Sequence, residues 1–243
     1  MISSAMTVHG SSLLDYHHGN SDAQVLIRRD DGFESILPVK IFFRSEDEFL
    51  PHEIEALNRC HGHVLDIGAG SGIHSLVLQS RGLFVTALDL SIESIEIMKE
   101  RGVKDVICAD IMSFENGPYD TLLLLGHGIG MVEDIAGLNR FLRQAHQLLH
   151  HDGHILLNSV DVRATNESIH LEYHKANQRA EKYFGEIRVQ FVYKDEASPH
   201  VGWLHVDPQT LSDLAAQESW NTKIISKSEG GEYLAQLEQM RIK

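Results

Sequence analysis

From Val64 to Asp161 the chain repeats one unit: an apolar run, a loop, then a helical pattern. The runs lie in "VLDIGAGSG", "LFVTALD", "VKDVICAD", "YDTLLLLG" and "HDGHILLNSVD", and all but the fourth carry an acid at or near their end. Helical spacing fills 73–80, 91–100 and 136–149 between them. Strands that alternate with helices of this length build parallel βαβ units, because parallel neighbours need a long crossover. The runs are apolar almost throughout, as strands must be when helices cover both faces of their sheet. The sequence therefore predicts an α/β, doubly wound fold whose ligand sits at the carboxyl ends of the strands.

The flanks carry different patterns. The first twenty residues are polar, with Gly10 and Gly19, and are expected to form a mobile or lid-like arm. Two β-rich runs about Asp31-Gly32 predict a hairpin, with Pro38 marking an edge strand. "PHEIEALNRCHG" predicts a short helix that ends at Gly62. After Asp161, residues 166–183 form a polar amphipathic helical pattern, and two strands follow around a loop with Pro199. Asp207 and Pro208 are placed to start a helix, and the chain closes on a final pair of strands. No linker separates a second independent unit. Residues 1–62 are expected to cap a site built on 63–243, with 163–206 inserted to shape the substrate end.

The glycine loop narrows the ligand. A dinucleotide site prefers G-x-G-x-x-G, with a helix N-terminus facing a pyrophosphate. Here the glycines are Gly68, Gly70 and Gly72, and Ile73 stands where that pattern has its last glycine. Asp66, Asp89 and Asp110 surround the loop, and carboxylates so placed repel phosphate. They suit a ligand with a ribose diol, an exocyclic amine and positive charge, properties that S-adenosylmethionine (SAM) combines.

"VLDIGAGSG", "TALDLS" and "ICADI", in this order and spacing, resemble the first three cofactor motifs of class I SAM-dependent methyltransferases. The resemblance spans about residues 60–162. It implies a Rossmann-like sheet, mostly parallel, with an antiparallel strand at the C-terminal edge. It also implies that Gly68, Ala69 and Gly70 admit the methionyl part of the cofactor, with Asp66 near its ammonium. Asp89 would accept from both ribose hydroxyls, with Leu90 against the adenine. Asp110 would read the adenine amine, Ile111 would close its face, and Gly126 would lie beneath the methionyl group. Tyr16 resembles an aromatic residue that an N-terminal arm folds over the cofactor in some small-molecule members. Some relatives carry an arginine where Ile73 stands, so Arg28 or Arg44 becomes the candidate for that charge.

The remaining features bear on the acceptor. "LLLLGHGIGMV" lacks the N/D-P-P-aromatic motif of many nucleic-acid amino methylases, and a net charge of −14 disfavours a nucleic-acid partner. His127, in that loop, is the candidate general base. Trp203 is expected to shape the acceptor pocket, whereas Trp220 and Asp161 read as structural. The pairs His17-His18, His61-x-His63, His150-His151 and His170/His174 lack a complete ligand set, and no metal is expected. No apolar run is long enough to span a membrane, and two distant cysteines without a secretory leader fit a reducing cytoplasm. The expected activity is methyl transfer to a small molecule. A nicotinamide-dependent oxidoreductase or a non-catalytic SAM-binding module are the alternatives, and oligomeric state is not legible.

Overall fold

A computed structural model describes residues 2–240 of the chain. Its central element is β3 (His63–Ile67), which pairs in parallel with β4 (Phe84–Asp89) on one side and β6 (Tyr119–Leu124) on the other. β5 (Asp105–Cys108) extends the sheet beyond β4, and β7 (Leu149–Val160) extends it beyond β6, both in parallel. Two antiparallel strands, β12 (Glu232–Gln239) and β11 (Trp220–Lys227), complete a seven-stranded sheet of order β11-β12-β7-β6-β3-β4-β5. The chain winds outward from β3 in one direction and then in the other, so a crevice opens where β3, β4 and β6 end.

Strand register explains why the runs are apolar throughout. Leu65, Ile67, Leu122 and Leu124 pack on one face with Phe141, Leu142 and Trp220, while Val64, Leu123 and Leu156 pack on the other with Ala56, Leu57 and Leu78. The helices α2 (Pro51–Arg59), α3 (Ile73–Ser80), α4 (Ile92–Arg101), α5 (Ile135–Leu148) and α7 (Pro208–Gln217) supply these covers. Their ends carry local signals: Ser91, Asp134 and Asp207 accept from backbone N–H groups of the first turn. Trp220 is fully buried and donates to the Leu142 carbonyl at 3.0 Å, a core residue as the sequence suggested.

The two flanking segments combine into a second sheet. The hairpin β1 (Gln24–Arg29) and β2 (Glu34–Pro38) forms as predicted, with β2 and its Pro38 on the edge. β1 then pairs with β8 (Glu186–Tyr193), which also pairs with β9 (Glu196–Ala197) and β10 (Val201–Leu204). A helix α6 (Ser168–Arg179) packs beside this sheet, where the Tyr173 hydroxyl donates to Asp30 at 2.8 Å.

The N-terminus requires a correction. Instead of a mobile arm, Ile2–His17 forms a helix, α1. Ala5, Val8, Ser12 and Leu13 make a buried stripe at helical spacing. Its residues are small, which is why the segment reads as polar. The helix lies against α4 and β8 and closes one side of the crevice.

Candidate active site

Between the two sheets lies a cavity of about 820 Å³, within the range of small-molecule sites. One end is made by the carboxyl ends of β3, β4 and β5. Gly68, Gly70 and Gly72 all have positive φ, at 72°, 58° and 79°, so the loop turns through conformations that side chains resist. At Gly68 a Cβ would stand 2.7 Å from Met131 Cε, so the loop also needs glycine there to pack against Met131. The N–H groups of Gly68 and Ala69 both donate to the Leu88 carbonyl, which pins the loop to β4.

The acids are held in place around this loop. Asp66 is 2 % exposed and accepts from Ser75 Oγ at 2.6 Å. Asp89 accepts from the Gly70 N–H at 2.8 Å through one oxygen and from the Ser91 N–H at 2.9 Å through the other. Burial raises both carboxyls above the usual range. His74 and Ser75 oppose this at Asp66, and the Ser91 and Gly70 amides oppose it at Asp89. Two desolvated carboxylates at one cavity end fit a ligand that brings hydroxyl donors and positive charge. Asp110 caps the short turn Ile111–Ser113 by accepting from the Met112 N–H at 2.9 Å, and both Asp110 and Ile111 line the cavity.

Leu90, Gly126 and His127 line the same cavity, so, the candidate arginines aside, all the sequence candidates but one converge there. The exception is Tyr16, which lies outside the lining with its ring 4.7 Å from that of Phe43. Met6 and His9 reach the cavity from α1 instead. Tyr16 lies two turns beyond His9, roughly 10 Å further along the helix axis, and so overshoots the opening.

The two candidate arginines are committed elsewhere. Arg28 pairs with Glu34 and Gln190. Arg44 reaches the cavity wall, but its two Nη groups donate to Glu53 at 3.1 and 2.9 Å. Glu53 is buried and also accepts from His74 at 2.9 Å and from the Leu50 N–H at 2.7 Å. Burial pushes its carboxyl up, but these donors prevail and hold it at about 2.

The other end of the cavity belongs to the second sheet and the loop after β6. Phe191 and Trp203 supply aromatic walls, and His9, His174 and His205 supply imidazoles. Burial lowers His9 to about 4 and His205 to about 3, so both are uncharged at neutral pH. Asp161 also reaches the lining, where Arg163 donates to both its oxygens at 2.9 and 3.0 Å. Among the described residues one group offers metal ligands: His18, just past the end of α1, with Glu96 and Glu100 on α4, all exposed and absent from the cavity lining. The sequence reading missed Glu53, Asn158, His205 and Glu232, which reach the cavity from distant segments.

The methyltransferase-domain family matches residues 65–157, the stretch that carries the glycine loop and Asp66, Asp89 and Asp110. A comparison with curated proteins gives no match. A SAM-dependent methyltransferase from Bacteroides fragilis, solved with S-adenosyl-L-homocysteine (SAH), is 31% identical with a TM-score of 0.85. That similarity covers 98% of this chain and 97% of the other. Two more distant structures share the fold. The DhpI–SAH complex is 16% identical over 96% of this chain and 98% of that one, with a TM-score of 0.60. The glycopeptide N-methyltransferase MtfA with SAH is 14% identical over 77% and 85%, with a TM-score of 0.54.

The fold, the glycine loop and the near-complete overlap with the Bacteroides fragilis structure define one class. The chain belongs to the class I SAM-dependent methyltransferases. The oxidoreductase alternative is thereby set aside. Among the described residues no helix is long and apolar enough to cross a membrane.

Proposed function

We propose that the enzyme transfers the methyl group of SAM to a small molecule held between the two sheets. The observation that carries this reading is the cavity itself: acids and glycines line one end, aromatic rings and uncharged imidazoles the other. When bound, SAM supplies a methyl carbon made electrophilic by its sulfonium. The protein's contribution is then alignment and exclusion of water.

In this reading Asp66 faces the ammonium, and Gly68, Ala69, Gly70 and Gly126 let the backbone approach the methionyl part. Asp89 accepts from the ribose hydroxyls, with Leu90 beside the adenine. Asp110 takes the adenine amine and Ile111 closes the ring's face. The raised state of Asp66 and Asp89 supports these roles, since burial outweighs the donors that each already has and a cationic or hydroxyl-bearing ligand would restore the balance. A small acceptor is favoured because residues of α1 and of the second sheet line the cavity opposite the glycine loop and bound its volume at about 820 Å³. The small-molecule methyltransferases with this fold are consistent with it.

Calorimetric titration with SAH tests the assignment. Micromolar binding is expected for the wild type. Asp89→Ala removes a charged hydrogen-bond acceptor worth about 1.5–3 kcal/mol, so affinity should fall roughly 10- to 100-fold. A folded Asp89→Ala protein with wild-type affinity would remove Asp89 from the site.

A further inference from the structure

His127 sits where β6 ends, in the left-handed region at φ 60° and ψ 28°. A non-glycine residue there is uncommon, and such positions gather at functional sites. What holds it is a polar frame from two other strands. The His127 N–H donates to Asn158 Oδ1 at 3.1 Å, from β7. Asn158 Nδ2 in turn donates to Glu232 Oε1 at 3.1 Å, from β12, and the same oxygen accepts from His127 Nε2 at 3.1 Å. Asn158 is 1 % exposed, so one buried amide fixes both the backbone of the histidine and its carboxylate partner.

We propose that His127 is the proton acceptor of the methyl-transfer reaction, oriented by Glu232, and that the acceptor is an uncharged ring compound methylated on a hydroxyl. The proposal rests on the methyl-transfer reading above. A carboxylate only accepts, so the neutral imidazole carries its proton on Nε2 and its lone pair on Nδ1. The groups that face this imidazole are Glu232, His52 and His205. His52 Nε2 lies 3.4 Å from Glu232 and is shifted down, chiefly by burial. The His205 ring stands 5.6 Å from that of His127 and nearly perpendicular to it. The two imidazoles on this wall therefore differ: one has a carboxylate to meet an arriving proton, the other has none.

His205 Nδ1 is buried with no hydrogen-bond partner among the described residues. It is the point where an acceptor's polar group would be received. Trp203, two residues before His205, stands edge-to-face with Phe191 at 6.4 Å between ring centroids, an aromatic wall against which a ring can lie. Arg29 and Arg44, the two cap-side guanidiniums at the cavity wall, are paired to Asp31 and Glu53, which leaves them poor anchors for an anionic acceptor. Arg140 enters the lining from α5 one turn before Gln144, which donates to the Ile111 carbonyl, so it belongs to the Asp110 end.

The need for a base separates hydroxyl from amine. A neutral amine attacks with a lone pair it already exposes, whereas a hydroxyl must lose its proton as it attacks. In the step proposed, the hydroxyl oxygen bonds to the methyl carbon as the carbon–sulfur bond of SAM breaks. That electron pair stays on sulfur, giving the thioether. The hydroxyl proton passes to His127 Nδ1, and Glu232 balances the imidazolium. Release of that proton to solvent resets the site.

The test pairs matched acceptors: para-cresol with para-toluidine, and 2-naphthol with 2-naphthylamine, using radiolabelled SAM. The hydroxyl member of each pair should be methylated in preference to the amine. His127→Asn suits the left-handed backbone and should lower kcat/KM by about 100-fold or more while SAH binds as in the wild type. Glu232→Gln should lower it about tenfold and move the acidic limb of the pH profile to lower pH, because the imidazolium loses its counter-charge. Nitrogen-15 NMR of the SAH complex should show His127 as the Nε2–H tautomer. Preference for the amines, full activity in His127→Asn, an unmoved acidic limb in Glu232→Gln or an Nδ1–H tautomer would each overturn the proposal. If neither member of either pair is methylated by protein that binds SAH, the acceptor class is wrong. Wild-type protein that fails to bind SAH would instead sink the methyl-transfer reading itself.

Discussion

Single residues in this site act for different physical reasons even when they are the same amino acid. Gly70 has φ 58° and nothing within 4 Å of where a Cβ would stand, so its requirement is conformational alone. Gly70→Ala should cost about 1–2 kcal/mol, the penalty for an L-residue in the left-handed region. That corresponds to a fall of about 2–8 °C in Tm, measurable by calorimetry. Gly130 is the opposite case, since a Cβ there would collide with the Trp203 indole. Gly130→Ala should displace Trp203 from the cavity wall, raise the acceptor KM and leave SAH affinity intact. Equal loss of SAH binding would mean that Trp203 belongs to the cofactor end. The same scale separates what was legible from what was not. Asp66, Asp89 and Asp110 were legible because each ends or borders an apolar run beside the glycines. Glu232 and Asn158 were not, because their approach to His127 depends on antiparallel register, in which Leu234 stands opposite Asn158 and Glu232 opposite Val160. No local pattern encodes that register.

At the scale of elements, α1 is the part most able to control access. It docks where Gly10 meets α4: a Cβ on Gly10 would clash with Ser91 Oγ and stand 2.8 Å from Glu93 Oε2. Its far end is tied by His17 to Glu100 at 2.8 Å and by the Tyr193 hydroxyl, which donates to Asp15 at 2.7 Å. Ser91 lies two residues after Asp89, so the docking point adjoins the cofactor end directly. Gly10→Val should lift the helix from α4, lower amide-exchange protection across 5–13 and speed SAH dissociation. Unchanged protection with unchanged dissociation would show that α1 closes the cavity without gating it. The central β3–β7 sheet was legible from sequence because each strand carries its own apolar run and each helix its own period. The second sheet was not, since β1 and β8 meet only in space, with Leu26 opposite Val192. Each flank read by itself as a cap or an insertion, and their joining is a long-range choice.

Across the whole molecule, the histidines couple stability to pH. Burial depresses His9 and His154 to about 4 and His205 to about 3, and lowers His52 and His174 as well. In the unfolded chain each returns to an ordinary value of about 6.5. Between those limits the unfolded state binds more protons, so stability is full above about 6.5 and is lost as pH falls through that window toward 4. Asp66 and Asp89, raised by burial, act in the opposite sense, but they are two carboxyls against five imidazoles. Each depressed imidazole contributes a slope of up to about 1.4 kcal/mol per pH unit. Urea unfolding at pH 7, 6 and 5 should therefore show a steep decline in stability with acid. His154 offers a clean check, because it lies outside the cavity lining and its Nε2 is buried with no partner among the described residues. His154→Gln removes one such group and should flatten the slope by about one proton's worth, roughly 1.4 kcal/mol per unit at most. It should do so without altering SAH affinity at pH 7. Stability that stays level from pH 7 to 5 would mean that these imidazoles take up protons in the folded protein. The acceptor end of the cavity would then hold charge, and the case for an uncharged acceptor would lose its support.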